Sequence, residues 1–143
     1  MHTTDVIEHA NITVRDIDAT LHFLQTALPT WRVRGGGTMD WFGKPIRWAH
    51  IGTDHSYLAL QSGGVGDELD WTSHQVGTKH IGIVVASVDA VVDRLVSAGH
   101  ALDHWGGSDA FRKSAYFVCP GSVQFEFVAY RSDSVTERNR YSE

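Results

Sequence analysis

The sequence predicts an α+β fold that consists of two βαβββ modules in one domain. The chain has 143 residues, which is the usual size of a single domain. Residues 9–24 align without gaps with residues 80–95, so the chain contains an internal repeat with an offset of 71 residues (80 − 9 = 71). In each copy the apolar residues recur first with a period of two and then at helical spacing, which is typical of a strand followed by a helix.

The first module spans about residues 6–62 and begins with a strand that carries His9 on the face opposite its apolar residues. A helix follows, with Asp16 in the N-cap position and apolar residues at helical spacing within residues 17–28. The remaining strands of the module are predicted at 31–34, 46–51 and 57–61. The glycines at 35–37 and 63–64 are expected to form flexible turns.

The second module spans about residues 79–130 and repeats this plan, with His80 on its first strand. Ser87 stands in the N-cap position of its helix, and Gly99 stands where the helix is expected to end. Its other strands are predicted at 101–104, 115–118 and 123–129, with a turn at 119–122. Residues 63–78 are interpreted as a linker, and residues 131–143 as a polar tail that is mobile or helical, within a single domain that covers 1–143.

The composition excludes several classes of protein. Twelve Lys and Arg residues are outnumbered by 17 Asp and Glu residues, and the basic residues are scattered, so we expect no binding of nucleic acid. No apolar stretch approaches the roughly 20 residues of a membrane span, and the N-terminal residues lack the pattern of a signal peptide, which predicts a cytoplasmic protein. Cys119 is the only cysteine, so an intramolecular disulfide is excluded and any metal must have nitrogen and oxygen ligands.

Strand periodicity predicts a metal site on the sheet faces that the helices leave uncovered. His9 and His80 lie on these faces, together with Gln61 and Glu126 from the last strand of each module. Two histidines and a glutamate can bind a divalent first-row metal and leave coordination positions open. The alternative is that each histidine is a hydrogen-bonded structural residue. Glu126 favours the metal site, because a carboxylate in a mostly buried strand requires a compensating cation or hydrogen-bond donors.

Three segments of the chain resemble motifs of the vicinal oxygen chelate superfamily, which includes glyoxalase I, bleomycin and fosfomycin resistance proteins, methylmalonyl-CoA epimerase and extradiol dioxygenases. These segments are 7–18, 79–89 and 119–126, and the resemblance covers about residues 6–130. It implies a cup-shaped mixed sheet with the helices outside. It also implies a divalent metal ion (Ni, Zn, Mn, Co or Fe(II)), a small-molecule substrate and a homodimer. The positions that match the family's metal ligands are His9, Gln61, His80 and Glu126.

The resemblance leaves three activities open. The leading hypothesis is a metal-dependent lyase or isomerase resembling glyoxalase I, which acts through a metal-stabilised enediolate with Glu126 as the catalytic proton acceptor. Gln61 departs from the pattern of two glutamates, because an amide does not take up a proton at neutral pH. One alternative is an Fe(II)-dependent extradiol-type dioxygenase with His9, His80 and Glu126 as ligands. The other is a protein that binds a small molecule or drug without a metal.

The first module also carries an aromatic and cationic cluster that is a candidate for binding the substrate. Arg47, Trp48 and Tyr57 are the residues that we assign to this role, because a guanidinium group beside aromatic rings suits an anionic group such as a carboxylate. The alternative is that they are ordinary strand residues without a ligand. His50 and His55 are interpreted as surface or packing residues rather than as catalytic bases.

Overall fold

The structure, a computed structural model, describes residues 4–107 and 109–141. This part of the chain contains two four-stranded mixed sheets and three helices, which confirms the predicted α+β class. It divides into two compact units. Unit 1 comprises Met1–Glu68 with Pro120–Ser122, and unit 2 comprises Leu69–Cys119 with Val123–Glu143. The assignment of both modules to a single domain stays a prediction.

Unit 1 has the βαβββ order expected of the first module. Its elements are β1 (His9–Thr13), α1 (Ile17–Ala27), β2 (Arg32–Trp41), β3 (Lys44–Gly52) and β4 (Tyr57–Gln61). The strands are ordered β1-β4-β3-β2, and only β1 and β4 are parallel to each other. The helix begins where predicted, because the Asp16 carboxylate accepts a hydrogen bond from the amide of Ala19 at 3.0 Å. It buries Phe23 and Leu24 completely.

Unit 2 repeats the arrangement and adds a short helix in the polar tail. Its elements are β5 (His80–Val84), α2 (Val88–Ser97), β6 (His104–Trp105), β7 (Arg112–Val118), β8 (Gln124–Tyr130) and α3 (Val135–Arg138). The strands are ordered β5-β8-β7-β6, with β5 and β8 parallel. Ser87 caps α2 as predicted, and Gly99 follows the helix with a φ of +94°, a conformation that suits glycine. None of the helices within the described residues is long and apolar enough to cross a membrane.

Two predicted segments differ in the structure. The glycines at 35–37, predicted as a turn, lie inside β2, which has ten residues and pairs with β3 at nine of them. A Cβ on Gly37 would lie 3.2 Å from the indole nitrogen of Trp48, so the absence of a side chain allows this ring to lie over β2. The reversal comes later, at Phe42 and Gly43, which both have positive φ. The strand predicted at 101–104 begins further along the chain and has only two residues, because β6 pairs with β7 only at His104 and Trp105.

One ion pair recurs in both modules and joins each helix to its sheet. Asp18 on α1 accepts two hydrogen bonds from Arg47 on β3, at 2.9 and 3.2 Å. Asp89, its counterpart 71 residues later, accepts one at 2.8 Å from Lys113 on β7. Asp18 and Asp89, which are equivalent in the repeat, therefore each pair with a basic residue on the third strand of their unit.

Candidate metal centre

Unit 2 brings two of the predicted metal ligands together. His80 on β5 and Glu126 on β8 lie on the same face of the sheet, and His80 Nε2 is 3.5 Å from Glu126 Oε1. Two ligand atoms that are each about 2.1 Å from one divalent ion, at an angle of roughly 110°, are about 3.4 Å apart. The separation of these two side chains therefore fits a divalent metal ion.

Glu126 is held in this position by a tyrosine that sequence reasoning did not select. The hydroxyl group of Tyr116, on β7, donates a hydrogen bond of 2.8 Å to Glu126 Oε2. Burial raises the pKa of Tyr116 to about 12, and the hydrogen bond to Glu126 acts in the same direction. Tyr116 is therefore a neutral donor at physiological pH. Because it occupies Oε2, the other carboxylate oxygen, Oε1, is left facing His80.

Glycine keeps the space beside this carboxylate open. Gly82 on β5 lies directly opposite Glu126 in the parallel pair. A Cβ atom at this position would lie 3.7 Å from Glu126 Oε1 and within 4 Å of no other atom. A larger side chain here would extend into the space next to the oxygen that faces His80. The donor types, their separation and this open space together fit a metal ion.

A second polar group lies beside Tyr116 and was also missed by the sequence reasoning. The Asp103 carboxylate accepts a hydrogen bond from Nδ1 of His104. The imidazole ring is stacked on Tyr116, with ring centroids 4.3 Å apart and planes 6° apart, and on Trp71 at 4.9 Å. A histidine that is oriented by a carboxylate and leaves its second nitrogen available is the usual arrangement of an acid–base group. The signal in the sequence was the hairpin that β7 and β8 form around the turn at 119–122. Pairing the preceding strand, β6, with β7 would have placed His104 opposite Tyr116.

In unit 1, the predicted ligands His9 and Gln61 each contact other residues of the unit. Their predicted counterparts in unit 2, His80 and Glu126, face each other. His9 Nδ1 donates to the Glu8 carboxylate at 2.9 Å, and the ring is stacked on Tyr57 at 4.8 Å. The carbonyl oxygen of the Gln61 amide, which is largely buried, accepts a hydrogen bond of 2.9 Å from Asn11.

Strand register shows that Gln61 is not the counterpart of Glu126. Asn11 and Gly82 are equivalent in the repeat, and they lie opposite Ala59 and Glu126 respectively. Gln61 therefore lies two residues, or about 7 Å, further along β4 than the position equivalent to Glu126. The predicted equivalence of the two residues was wrong, because strand parity places both on the uncovered face but does not fix the register of each last strand against its first strand.

The three residues assigned to substrate binding do not form one cluster. Trp48 and Tyr57 belong to a row of rings on the face of the sheet opposite α1, in which His50 lies between them at 5.0 and 4.6 Å. Arg47 lies on the other face, where it pairs with Asp18 of α1 and lowers the pKa of that carboxyl group. The cation that lies over the Tyr57 ring is Arg34 instead, 4.2 Å from the ring centroid. The role of this cluster in binding substrate stays a prediction.

Each unit holds only part of the proposed ligand set. Within residues 4–107 and 109–141, no group of three or more His, Cys, Asp and Glu side chains that could hold a metal ion is assembled. Unit 2 supplies the pair His80 and Glu126, and unit 1 carries His9 and Gln61. The combination of these four residues around one ion stays a prediction.

Comparisons with known proteins agree with the fold. A glyoxalase family protein from Bacillus cereus is 14% identical, with a TM-score of 0.73 over 92% of this chain and 99% of that one. The fosfomycin resistance protein FosX from Listeria monocytogenes, in complex with Mn(II) and 1S,2S-dihydroxypropylphosphonic acid, is 18% identical, with a TM-score of 0.68 over 96% and 100%. Lactoylglutathione lyase from Agrobacterium tumefaciens is 15% identical, with a TM-score of 0.60 over 90% and 96%.

The sequence comparisons give the family but no specific relative. No curated protein shows a significant match to the chain. The sequence profile of the Glyoxalase/Bleomycin resistance protein/Dioxygenase superfamily matches residues 6–117, which include both first strands and both long helices. This match and the two βαβββ units show that the chain belongs to the glyoxalase/bleomycin resistance protein/dioxygenase superfamily.

Proposed function

We propose that the chain is a divalent-metal-dependent lyase or isomerase of the glyoxalase I type that acts on a small oxygenated substrate. His80 and Glu126 are the central metal ligands, and His9 and Gln61 complete the set. The observation that carries the proposal is that the two carboxylate oxygens of Glu126 have different neighbours. Oε2 accepts the hydrogen bond from Tyr116, and Oε1 is 3.5 Å from His80 Nε2. The structural neighbour FosX, which has Mn(II) bound, supports the use of a divalent ion.

The side chains on this face of unit 2 are suited to moving a proton. A bound divalent ion supplies Lewis-acid stabilisation of the negative charge that develops on a substrate oxygen. Glu126 accepts the proton from the neighbouring carbon, and Tyr116 keeps its carboxylate in position. An isomerase must then return a proton to a different atom. His104, which Asp103 orients, is a second acid–base group on the same face for this step.

Metal analysis of three purified proteins tests the ligand assignment. In the Glu126→Ala variant we expect metal affinity to fall at least about tenfold, because a direct ligand is lost. Gln124→Ala is a matched control, since Gln124 lies two residues away on the same strand and its amide donates to Asp103 at 3.3 Å. Equal metal content in the wild-type protein and in Glu126→Ala would refute the assignment. If the wild-type protein retains none of Ni, Zn, Mn, Co and Fe(II), metal-free binding of a small molecule becomes the better hypothesis.

Two assays test the reaction type. Formation of lactoylglutathione from methylglyoxal and glutathione tests the activity for which one structural neighbour is named. Exchange of a carbon-bound proton with deuterated water, followed by NMR on small hydroxy and oxo acids, tests proton abstraction without assuming glutathione. Metal-dependent exchange that is lost in Glu126→Ala is the expected result. Its absence from every substrate would contradict the lyase or isomerase assignment.

A second candidate is an Fe(II)-dependent dioxygenase with three protein ligands. The observation that favours it is the engagement of Gln61 with Asn11, at a position two residues beyond the counterpart of Glu126. His9, His80 and Glu126 alone would then form a set of two histidines and one carboxylate. Oxygen consumption with catechols under reducing conditions distinguishes this candidate, because proton transfer in a lyase consumes no oxygen.

We also propose that the protein is a homodimer, as members of this superfamily often are. Sedimentation equilibrium of the purified protein tests this, and a mass equal to one chain at micromolar concentration would contradict it.

A further inference from the structure

We propose that strand β2 pairs with the β2 strand of a second copy of this chain, in antiparallel orientation about a two-fold axis at Thr38. β2 ends the sheet of unit 1, so one of its edges has no paired strand within the described residues. It has ten residues, whereas the other strands that end a sheet, β1, β5 and β6, have five, five and two. The inference rests on the homodimer proposed above, but not on the metal or the reaction, and it names the surface through which the dimer forms.

The middle of β2 lacks the features that usually prevent an edge strand from pairing. Such strands are commonly short, or they carry charged residues, proline or a bulge. Residues 35–39 are Gly-Gly-Gly-Thr-Met, without a charge or a proline, and the irregularity in β2 precedes them, between Val33 and Gly35. From Gly35 to Trp41 the register with β3 is continuous. A regular segment at 35–41 is therefore available for pairing on the free edge.

Two large apolar side chains of this segment are exposed. Met39 is 41% exposed and Trp41 is 46% exposed. They lie on the face of the sheet opposite α1, because Gly37, two residues before Met39, is the cross-strand neighbour of Trp48 on that face. Gly35 lies on the same face by the same alternation. Exposed apolar side chains that are close together on a surface favour contact with another protein.

A two-fold axis at Thr38 places small residues of one copy opposite large residues of the other. Gly37 then lies opposite Met39, Gly35 lies opposite Trp41, and the two copies of Thr38 lie opposite each other. A Cβ atom on Gly35 would meet no atom within 4 Å, so there is room over this glycine for the indole ring of the second copy. An aromatic ring that covers a glycine and a pair of opposite threonines both stabilise paired strands.

The charges and the bulge favour this register over a neighbouring one. Asp40 of one copy lies opposite Gly36 of the other, and the charged residue nearest to that glycine along the strand is Arg34, of opposite sign. An axis at Gly36 would place glycines opposite glycines and would bring the bulge between Val33 and Gly35 into the ladder. The occupant that fits the edge is a second copy of the chain, because one segment supplies both the glycines and the large side chains that cover them.

Charged substitutions at Thr38 test the axis, with sedimentation equilibrium as the measurement. Thr38→Glu and Thr38→Lys each place like charges opposite each other, so the affinity of the dimer should fall about tenfold in each variant. An equimolar mixture of the two variants pairs opposite charges and should dimerise like the wild-type protein. Recovery in the mixture requires that the two copies of residue 38 face each other. It also requires folded chains, so it excludes misfolding as the cause of the loss.

A pair of tryptophan variants tests the register. Trp41→Ala should weaken the dimer about tenfold, because it removes a large side chain from the interface. Trp105→Ala is the matched control, since Trp105 is 44% exposed and lies on β6, which ends the sheet of unit 2. This control should dimerise like the wild-type protein. Exchange of the amide hydrogens at 35–41 should also slow as the protein concentration rises, because pairing protects them.

The results separate this inference from the proposed function. Unchanged affinity in both Thr38 variants, loss without recovery in their mixture, or equal effects of Trp41→Ala and Trp105→Ala would each overturn the pairing through β2 and leave the homodimer itself standing. Protection that rises with concentration only outside 35–41 would do the same. A wild-type mass equal to one chain would contradict both the pairing and the homodimer. Sedimentation needs neither metal nor turnover, so a failed metal analysis beside an intact dimer would refute only the metal-dependent activity.

Discussion

The two modules share their topology but not the chemistry of their equivalent positions. Across the sheet of unit 2, one row of neighbouring residues is formed by Gly82, Glu126, Tyr116 and His104. The equivalent row of unit 1 is formed by Asn11, Ala59, His50 and Gly35. Unit 2 thus has a carboxylate, a phenol and an oriented imidazole where unit 1 has a methyl group, an imidazole in a stack of rings and a glycine.

This difference shows which properties a duplicated module retains. The helix caps, the parallel pairing of first and last strands, and the ion pair between helix and sheet occur in both units. These features stabilise the backbone of each module separately. Unit 1 has the same strand order without the polar row, so this topology does not depend on those side chains. We infer that unit 2 is specialised for proton transfer, and that unit 1 contributes ring surfaces and His9.

The largest expected effect comes from the imidazole that only unit 2 has in this row. In His104→Asn we expect turnover to fall about 100-fold, the usual range for loss of an acid–base group, with KM nearly unchanged. His50→Asn, in the row of unit 1, is the matched control and should retain most of the turnover. Steady-state kinetics in the lyase or isomerase assay provide the measurement. Equal losses in the two variants would mean that the rows do not differ in function.

The sequence predicted the repeat, the caps and the common face of His80 and Glu126 because these depend on local periodicity. It did not predict the roles of Tyr116 and His104, because these depend on the register between strands that are distant in the chain. The error over Gln61 has the same origin, since strand parity gives the face on which a residue lies but not the register of β4 against β1. The strand at 35–37 was missed because glycine favours turns, whereas here its lack of a side chain accommodates the Trp48 ring.

A second prediction concerns the first position of the row, where unit 2 has glycine and unit 1 has asparagine. In Gly82→Val the new side chain would extend beside Glu126 Oε1, so metal affinity should fall about tenfold while the fold is retained. Asn11→Val is the equivalent change in unit 1. It removes the hydrogen bond to Gln61 rather than the space beside Glu126, so it should lower metal affinity less than Gly82→Val. Metal titration with circular dichroism of each variant provides the measurement. Unchanged affinity in Gly82→Val would show that the space beside Glu126 is not needed for the metal.

The smallest effect is expected where the modules agree, at the ion pair between helix and sheet. The Arg47 guanidinium group lowers the pKa of the Asp18 carboxyl group from 3.8, mainly through its hydrogen bonds. A carboxyl group with a lowered folded-state pKa adds stability that is fully present above its unfolded pKa and is lost as the pH falls through the folded value. Asp18→Asn should therefore lower Tm only slightly at neutral pH, by about 1–2 °C, because the pair is exposed. The difference from the wild-type protein should shrink as the pH falls and disappear below the lowered folded-state pKa of Asp18.

The equivalent variant in unit 2, Asp89→Asn, sharpens this comparison. Lys113 donates one hydrogen bond to Asp89, whereas Arg47 donates two to Asp18. A single ammonium contact in water is weaker than a bidentate guanidinium contact, so Asp89→Asn should lower Tm less than Asp18→Asn. Thermal unfolding of both variants between pH 2 and pH 7 provides the measurement. A larger effect of Asp89→Asn would contradict this expectation, because it would show that unit 2 depends more on its ion pair between α2 and the sheet than unit 1 does on its own. The two modules would then differ in how helix and sheet are held together as well as in the chemistry of their polar residues.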